Sequence, residues 1–573
     1  MNNRQVAEML EKIGQILEVR GENPFKARAY YNAARTIDGL GEDINKIVAD
    51  GELGELPGFG EALTEKVTQL VKTGHMDYYD EIMEGLPDGI LTLLDIPDVG
   101  PKKARLFYDK LGIKSIDELE KAAREGKLAK LEGMGEKSEQ KILQGIEQHK
   151  SHKGRWLLSD ALPLAERILK EVESVKGVKR ASLAGSIRRR RETIGDIDVL
   201  VSAKDGPAVV AAFTKLEGIE RVLSSGDTKG SAVFEPGIQV DCRVVPDDSY
   251  AAAQHYFTGS KEHNVHMRAI AKDKGWKLNE YGLFAGEKAL AAPDEKALYA
   301  HFKMDYIPPE LREDMGEIEA AAKHALPDLV TGDGFKGAFH VHSNHTDGSM
   351  SIEKLVEELK NRGYSYFVLA DHSKAVVVAN GLDDERMKKE WEEVKAVQKK
   401  AGKFTIFRSA EIDIKKDGSL DFSEETLKGF DCRICAVHSS FSMPMVEMTK
   451  RILKAVEGPW CDILAHPSGR LLLEREPYQV DVEEILKSCA KHKVAVEINA
   501  QPSRLDLDWR FIKTGKELGV TFVIGLDAHR PIDFDFEEFG VAIARKGWLE
   551  TKDVLNTRTA AQFRKWLDAR RKK

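Results

Sequence analysis

The chain has 573 residues, 42% of them hydrophobic, and a formal net charge of −8. That length predicts about three to five domains, and that hydrophobic share excludes global disorder. No run approaches roughly 18 apolar residues, the start is polar, and five irregularly spaced cysteines are too few for a disulfide framework; a cytoplasmic protein with no membrane span is expected. The acidic sum hides basic clusters at Lys102-Lys103 with Arg105, at His149 to Arg155, at Arg188 to Arg191 and at Arg570 to Lys573. Cys432-x-x-Cys435 lies in an apolar run with no second such pair, which predicts buried thiols rather than a zinc knuckle.

Residues 1–85 and 86–155 are helical in pattern. A short phrase recurs in them as Leu56-Pro57-Gly58-Phe59-Gly60, Ile96-Pro97-Asp98-Val99-Gly100 and Leu131-Glu132-Gly133-Met134-Gly135. Each copy predicts a hairpin between helices whose free N–H groups meet a DNA phosphate without reading bases, which makes Gly58, Gly60, Gly100, Lys102, Gly133 and Gly135 candidate DNA contacts.

Between about residues 156 and 250 the pattern turns to mixed α+β: a helix over 161–175 and strands over 180–185, 196–202, 232–234 and 239–245. The Gly185-Ser186 turn is followed ten residues on by Asp196 and Asp198, which share a strand face at i,i+2. Asp241 in Gln239-Val240-Asp241-Cys242-Arg243 supplies a third carboxylate, and the set fits two-metal nucleotidyl transfer with Mg²⁺ or Mn²⁺.

Residues 251–328 form a further small α/β unit and 329–336 a glycine-bearing linker. Residues 337–573 alternate apolar runs with helical stretches, which predicts parallel βα repetition. Nearly every run ends in a metal-capable residue: His340, His342, Asp347, Asp371-His372, Glu411, His438, His466, Asp527 and His529. In a βα barrel the strand ends converge on one mouth, where histidine and carboxylate ligands without thiolates suit Zn²⁺, Mn²⁺ or Fe²⁺.

The motif Gly185-Ser186-x-Arg188-Arg189 with Asp196-x-Asp198, and the run His255-Tyr256-Phe257-Thr258-Gly259-Ser260, resemble the family X DNA polymerases, relatives of polymerase beta. The resemblance implies that Asp196, Asp198 and Asp241 are catalytic metal ligands. It also implies that Gly185, Ser186, Arg189, Gly195, Tyr256, Phe257, Gly259, Lys261 and Asn264 bind the nucleotide, Tyr256 and Phe257 by crowding a ribose 2′-OH. Lys229 and Arg268 are candidate DNA contacts, and Arg243 is a candidate partner of Asp198. Arg190, where the family commonly has glycine, and Arg191 depart from the pattern.

The N-terminal unit resembles the family's lyase domain, which aligns Lys66 with a Schiff-base lysine supported by Lys26 and Tyr30; Ala62 stands where a phosphate-binding lysine is common. The C-terminal third resembles the PHP domain, a distorted (βα)7 barrel with three metal ions. One ion falls to His340, His342, Glu411 and Asp527, a second to Glu411, His438 and His466, and a third to Asp347, His372 and His529. Arg470 and Arg504 are candidate phosphate contacts.

The expected whole is multidomain: all-α helix-hairpin-helix domains, a polymerase-beta-like palm, a small α/β domain and a PHP barrel. The expected activity is gap-filling synthesis from dNTPs on gapped or primed duplex DNA by a monomer, joined to a phosphoesterase acting as 3′-5′ exonuclease, AP endonuclease or 3′-phosphatase. The competing reading is an untemplated nucleotidyltransferase fused to a small-molecule phosphatase.

Overall fold

The computed structural model describes residues 1–573 apart from 2, 39, 41, 42, 88, 97, 153, 572 and 573, and leaves the side chains of 4, 148, 149, 151 and 152 undescribed. Pro97 of the second hairpin, the His149 side chain and Lys153 of one basic cluster, and Lys572-Lys573 of another lie outside the described residues. The chain divides into two compact units, one built on residues 1–153 with the short segments 348–350 and 529–531, the other on the rest of the chain from Gly154 onward.

The first unit is helical. In Asn3–Val19, Val6, Leu10, Ile13 and Leu17 recur at helical spacing and are fully buried against Ala33 and Ile37 of Pro24–Asp38. A separate core gathers Leu93, Ala104, Phe107, Leu119 and Ile142. The repeated phrase becomes a repeated motif, in which 3-10 turns Leu53–Glu55, Ile90–Asp95 and Leu128–Lys130 each lead through a hairpin into a helix, Glu61–Thr73, Pro101–Leu111 and Glu136–His152. The turning residue is left-handed in all three, Gly58 at φ 85°, Asp98 at 66° and Gly133 at 76°, and an N–H···O bond closes each turn (Phe59 to Leu56, Val99 to Ile96, Met134 to Leu131).

In the second unit a five-stranded sheet runs in the order Val178–Leu183, Asp196–Ala203, Ile238–Val245, Lys229–Phe234, Ile219–Ser225. The Asp196–Ala203 and Ile238–Val245 strands are parallel, while the other pairs are antiparallel. Helices Leu158–Glu173 and Gly206–Phe213 add Ala161, Ile168, Val210 and Phe213 to the core this sheet shares. The edge strand Ile219–Ser225 escaped the sequence reading because it is exposed along nearly its whole length and shows no alternation. Residues 250–301 follow as helices Tyr250–Thr258 and Lys261–Asp273, a three-stranded antiparallel sheet and helix Glu295–His301.

The connector is not a loose tether. The Val330 N–H donates to Leu549 O (2.9 Å), and Leu329, Val330 and Phe335 are buried.

Beyond it, eight parallel strands run in the order Thr405–Phe407, Tyr366–Leu369, Gly337–Val341, Phe522–Ala528, Ala495–Asn499, Ile463–Leu464, Ile434–Ala436, Glu411–Asp413. Seven staves were expected. The eighth strand arises because the third stave breaks at Arg408-Ser409-Ala410, so that its halves, Thr405–Phe407 and Glu411–Asp413, form the two edges of the curled sheet. A parallel bridge from His372 to Glu411 links the ends. Polar side chains at the strand ends face inward and apolar ones such as Phe367, Ile434 and Val496 are buried. All five cysteines are buried and free. Among the described residues no helix is long and apolar enough to cross a membrane.

Candidate functional site

Asp198 and Asp241 are register partners on parallel neighbours, and Asp196 stands two residues before Asp198 on the same face. Gly185 takes φ 60°, and a Cβ there would collide with the Asp198 carboxylate, so the turn passes directly over the acid. Asp198, Lys229, Asp241, Arg243 and Phe257 line one cavity of about 180 Å³. Burial, then Asp196 and Asp241, push Asp198 up to about 7. Asp241 goes the other way: burial would raise it, but bonds from Lys229, Ser231 and Gln239 outweigh that and hold it low, with Lys229 Nζ at 2.6 Å. Three converging carboxylates with one lysine among them carry excess negative charge, which fits divalent cations.

Lys229, a candidate DNA contact, is ion-paired with Asp241 here. Arg243 does not pair with Asp198 among the described residues; its guanidinium stacks over the Phe257 ring at 4.7 Å.

The turn after Gly185 is a four-residue helix, Gly185–Arg188. Its paired arginines meet a pair of acids. Arg188 binds Glu295 (2.6 Å), which also binds the fully buried Arg312 (2.5 Å). Arg189 Nε donates to Glu313 (3.1 Å), and its Nη1 donates to the Thr258 carbonyl. Arg191 also faces Glu313 (3.3 Å), while Arg190 adopts φ 53° and lines a separate cavity of about 640 Å³ with Arg362 and Glu537.

Helix Tyr250–Thr258 carries Tyr256 and Phe257, whose rings meet edge-on at 5.2 Å. Asn264 Nδ2 donates to the Tyr256 carbonyl (2.7 Å), so that asparagine fixes the turn's backbone. The Gly259–Ser260 peptide is cis. Ser186 and Gly195 are half-buried, and Lys261 and Arg268 are exposed on Lys261–Asp273.

At the C-terminal ends of the barrel strands, Glu411 is central. His466 Nε2 (2.6 Å), His438 Nε2 (3.0 Å), His372 Nδ1 (3.0 Å), His340 Nε2 (3.3 Å) and His342 Nε2 (3.8 Å) all face it. Asp527 faces His342 (3.3 Å) and His340 (3.6 Å), and Asp347 faces His372 (3.5 Å). All nine positions fall in overlapping groups whose ligand atoms lie within 4.8 Å of one another: His342, Asp347, His372 and His529; His340, His466 and Asp527; His340, His342 and Glu411; His372, Glu411 and His438. Burial would raise Glu411, but His438, His340, His372 and His466 outweigh it and hold the carboxyl well below its ordinary range. Burial opposes protonation of His372, yet Glu411 and Asp347 push it up to about 10. The excess of acceptors around these rings is what a set of cations would satisfy.

The chemistry fits metal. His340 Nδ1 is bound to Glu497 (2.5 Å), which leaves Nε2 buried, making no hydrogen bond among the described residues, and aimed between two carboxylates. Of the candidate phosphate contacts, Arg504 lies 3.4 Å from Asp527, but Arg470 is buried and spent on Asp508 (2.9 Å) and the carbonyls of Arg504 and Leu505, so it is a structural clamp.

In the first unit, Gly60, Gly100 and Gly135 begin their helices facing open space, and nothing lies within 4 Å of a Cβ placed on any of them. Lys102 is exposed beside Gly100. Lys66 Nζ lies 3.5 Å over the Tyr78 ring and hydrogen-bonds Tyr30 (3.2 Å), with Lys26 over the same Tyr78 ring at 5.3 Å. Burial, then Lys26, lower the Lys66 ammonium.

Four stretches of the chain match known families. Residues 1–76 match a helix-hairpin-helix domain, 90–148 a SAM-like helix-hairpin-helix tandem, 253–313 the DNA polymerase beta thumb and 338–501 the PHP domain. The DNA polymerase/3′-5′ exonuclease PolX of Bacillus subtilis is 36% identical over 98% of this chain and 98% of its own. The chain belongs to the family X DNA polymerases. DNA polymerase lambda of Rattus norvegicus is 25% identical over 54% of this chain and 56% of its own, and that of Arabidopsis thaliana is 26% identical over 49% and 54%.

In this family X polymerase the structure adds residues the sequence reading missed. Glu497 accepts from His340 Nδ1 and from the backbone N–H of His466 (2.7 Å), orienting the first ring and anchoring the chain at the second ligand. Asp413 does the same for His438 Nδ1 (3.3 Å). Asp413 stands two residues after the predicted ligand Glu411, whereas Glu497 lies inside an apolar run that ends in no predicted ligand. Lys546 closes the arginine turn from the barrel side, with no sequence signal at all.

Proposed function

We propose that the chain fills short gaps in duplex DNA by templated synthesis and trims 3′ ends in its PHP barrel, acting as a cytoplasmic monomer. The observation that carries this is the pair of carboxylate centres on one chain, Asp196, Asp198 and Asp241 in the palm and the Glu411-centred cluster in the barrel. The B. subtilis relative, named a polymerase and 3′-5′ exonuclease, supports both halves.

In the palm, Asp196, Asp198 and Asp241 would hold Mg²⁺ or Mn²⁺. Bound there, such ions supply an acidified primer hydroxyl and a neutralised triphosphate. Asp241, kept ionised by Lys229, sits ready to accept the hydroxyl proton. The turn from Gly185 to Arg189, with Gly195, receives the triphosphate once Arg189 leaves Glu313. Tyr256, Phe257 and Gly259, whose backbone Asn264 holds, press on the sugar, and Lys261 and Arg268 reach the nucleotide and the minor groove. Lys102 and the open glycines of the three hairpins grip backbone phosphates.

In the barrel, His340, His342, Asp347, His372, Glu411, His438, His466, Asp527 and His529 would hold three ions of Zn²⁺, Mn²⁺ or Fe²⁺ type. They supply a hydroxide and neutralise the scissile phosphate. Glu497 and Asp413 fix the imidazole orientations, and Arg504 offers a cation to the phosphate. Lys66, depressed and cradled by Tyr30 and Tyr78, is placed for Schiff-base chemistry on a 5′-deoxyribose phosphate. The domain division 1–85, 86–155, 156–250, 251–328, 329–336 and 337–573 fits this assignment of tasks and the two separate helical cores.

Extension of a primer on gapped duplex, compared with the same primer single-stranded, tests the reading. Synthesis is expected on the gap, with the complementary nucleotide favoured; equal, template-blind addition on both would overturn it.

A further inference from the structure

We infer that Lys546, on the barrel helix Glu537–Lys546, is a positioning residue for DNA synthesis: it sets how tightly Glu313 withholds Arg189 from the incoming triphosphate. The inference rests on the reading of Arg189 as a triphosphate contact.

Lys546 has a fully buried side chain. Its ammonium has three protons and finds three acceptors, Glu313 Oε1 (2.8 Å), the Arg189 carbonyl (3.0 Å) and the Glu310 carbonyl (3.2 Å). One barrel lysine therefore ties together the last residue of the Gly185 turn and the segment 310–313. Trp509 backs it, with Nζ 4.7 Å from the ring centroid. The same Glu313 oxygen that takes Lys546 also takes Arg189 Nε (3.1 Å), and the other faces Arg191 (3.3 Å).

Three cations thus share one carboxylate that is only 8% exposed. Charges near one another in a poorly solvated site interact strongly. While Lys546 satisfies part of Glu313, the acid's hold on Arg189 is weakened, and the net positive excess favours arrival of a polyanion. The Arg189 carbonyl, held by Lys546, also fixes the direction in which that side chain leaves the turn. Removing the ammonium would leave Glu313 to the two arginines alone and strengthen the grip. The barrel would then influence polymerase substrate affinity without touching substrate.

The test is steady-state single-nucleotide gap filling by the full chain carrying K546M, E313Q or both, with hydrolysis of a 3′-labelled strand as the check on the barrel. K546M is expected to raise KM for dNTP roughly five- to tenfold, in the range seen for residues sharing one ion-pair network, with kcat little changed. E313Q is expected to lower KM, and the double variant to return it to or below the parent value, because the acid that withholds Arg189 is gone. Because neutralising both members of a buried pair also relieves a packing or charge defect, thermal melts accompany the kinetics: a structural defect would lower Tm and kcat with K546M, whereas the positioning role moves KM alone. Unchanged KM in K546M, or a double variant worse than K546M, would overturn the inference. If K546M does not fold, E313Q alone decides: no fall in KM overturns it. R189A separates the two layers, since a KM unaffected by R189A refutes the triphosphate reading itself.

Discussion

Asp198 and Asp241 lie opposite each other on adjacent parallel strands, and the two carboxyls have been driven in opposite directions, one up to about 7 and one below its ordinary range. Position within the fold accounts for the difference. Asp198 lies buried beneath the Gly185 turn, where burial, Asp196 and Asp241 outweigh Lys229 and Arg243, whereas Asp241 has Lys229 at 2.6 Å. In the metal-free protein this has a thermodynamic consequence. An acid whose folded pKa is raised costs stability once pH exceeds its unfolded value, and the cost grows until pH passes the folded value. The contribution of Asp198 to the stability of the metal-free chain should therefore fall between about pH 4 and 7 and level off above. Shifting from 3.8 to about 7 sets an upper bound of ~4 kcal/mol. Thermal melts at pH 5 and pH 8 check this: D198N should flatten the decline, and Mg²⁺ should raise Tm at pH 8 more in the parent than in D198N.

Glu497 should matter to metal occupancy more than to fold. E497Q keeps the shape but no longer enforces the His340 tautomer, and losses of this kind typically reduce metal affinity by about 10–100-fold. Metal content after dialysis, read by mass spectrometry, should fall, and strand hydrolysis with it, while gap filling stays near the parent rate.

The glycines of the hairpins should separate into two kinds. Gly58 takes φ 85°, so G58A should cost about 1 kcal/mol of stability. Gly100 takes φ −85° and faces open space, so G100A should cost only about 0.5 kcal/mol as a poorer cap. Yet its methyl would stand where a phosphate approaches. Gapped-DNA affinity measured against salt should show weaker binding by G100A at every concentration, with Tm close to the parent.

Borohydride trapping on DNA bearing a 5′-deoxyribose phosphate tests Lys66. The adduct should form with the parent and disappear in K66A, while K26A, which removes the neighbouring charge, should trap more weakly at neutral pH because the Lys66 amine is then more fully protonated.

How much of this was legible in the sequence follows from where each residue sits. Asp196 and Asp198 announce themselves because a strand puts i and i+2 on one face, and the barrel ligands because each closes an apolar run. Glu497 is hidden, since it lies inside Ala495–Asn499 between Val496 and Ile498 and reads as a stray polar residue. Only packing reveals that Gly525 leaves room for its carboxylate. Lys546 ends a helix, where a cation is unremarkable on dipole grounds alone. Its complete burial and its three acceptors depend on two parts of the chain more than 200 residues away from it. Arg470 misled for the same reason in reverse, because a basic side chain that suggests a phosphate contact is buried and bound to Asp508. The third barrel stave was legible as a run, but not its break at Arg408-Ser409-Ala410, which the register of both neighbours imposes.

One chain carrying two metal-dependent chemistries should let them be lost separately when gap extension and loss of a 3′ label are followed on the same gapped DNA with D198A and H342A. D198A should lose extension to background and keep hydrolysis, while H342A should do the opposite. Loss of both activities in either variant, or of neither, would contradict that separation.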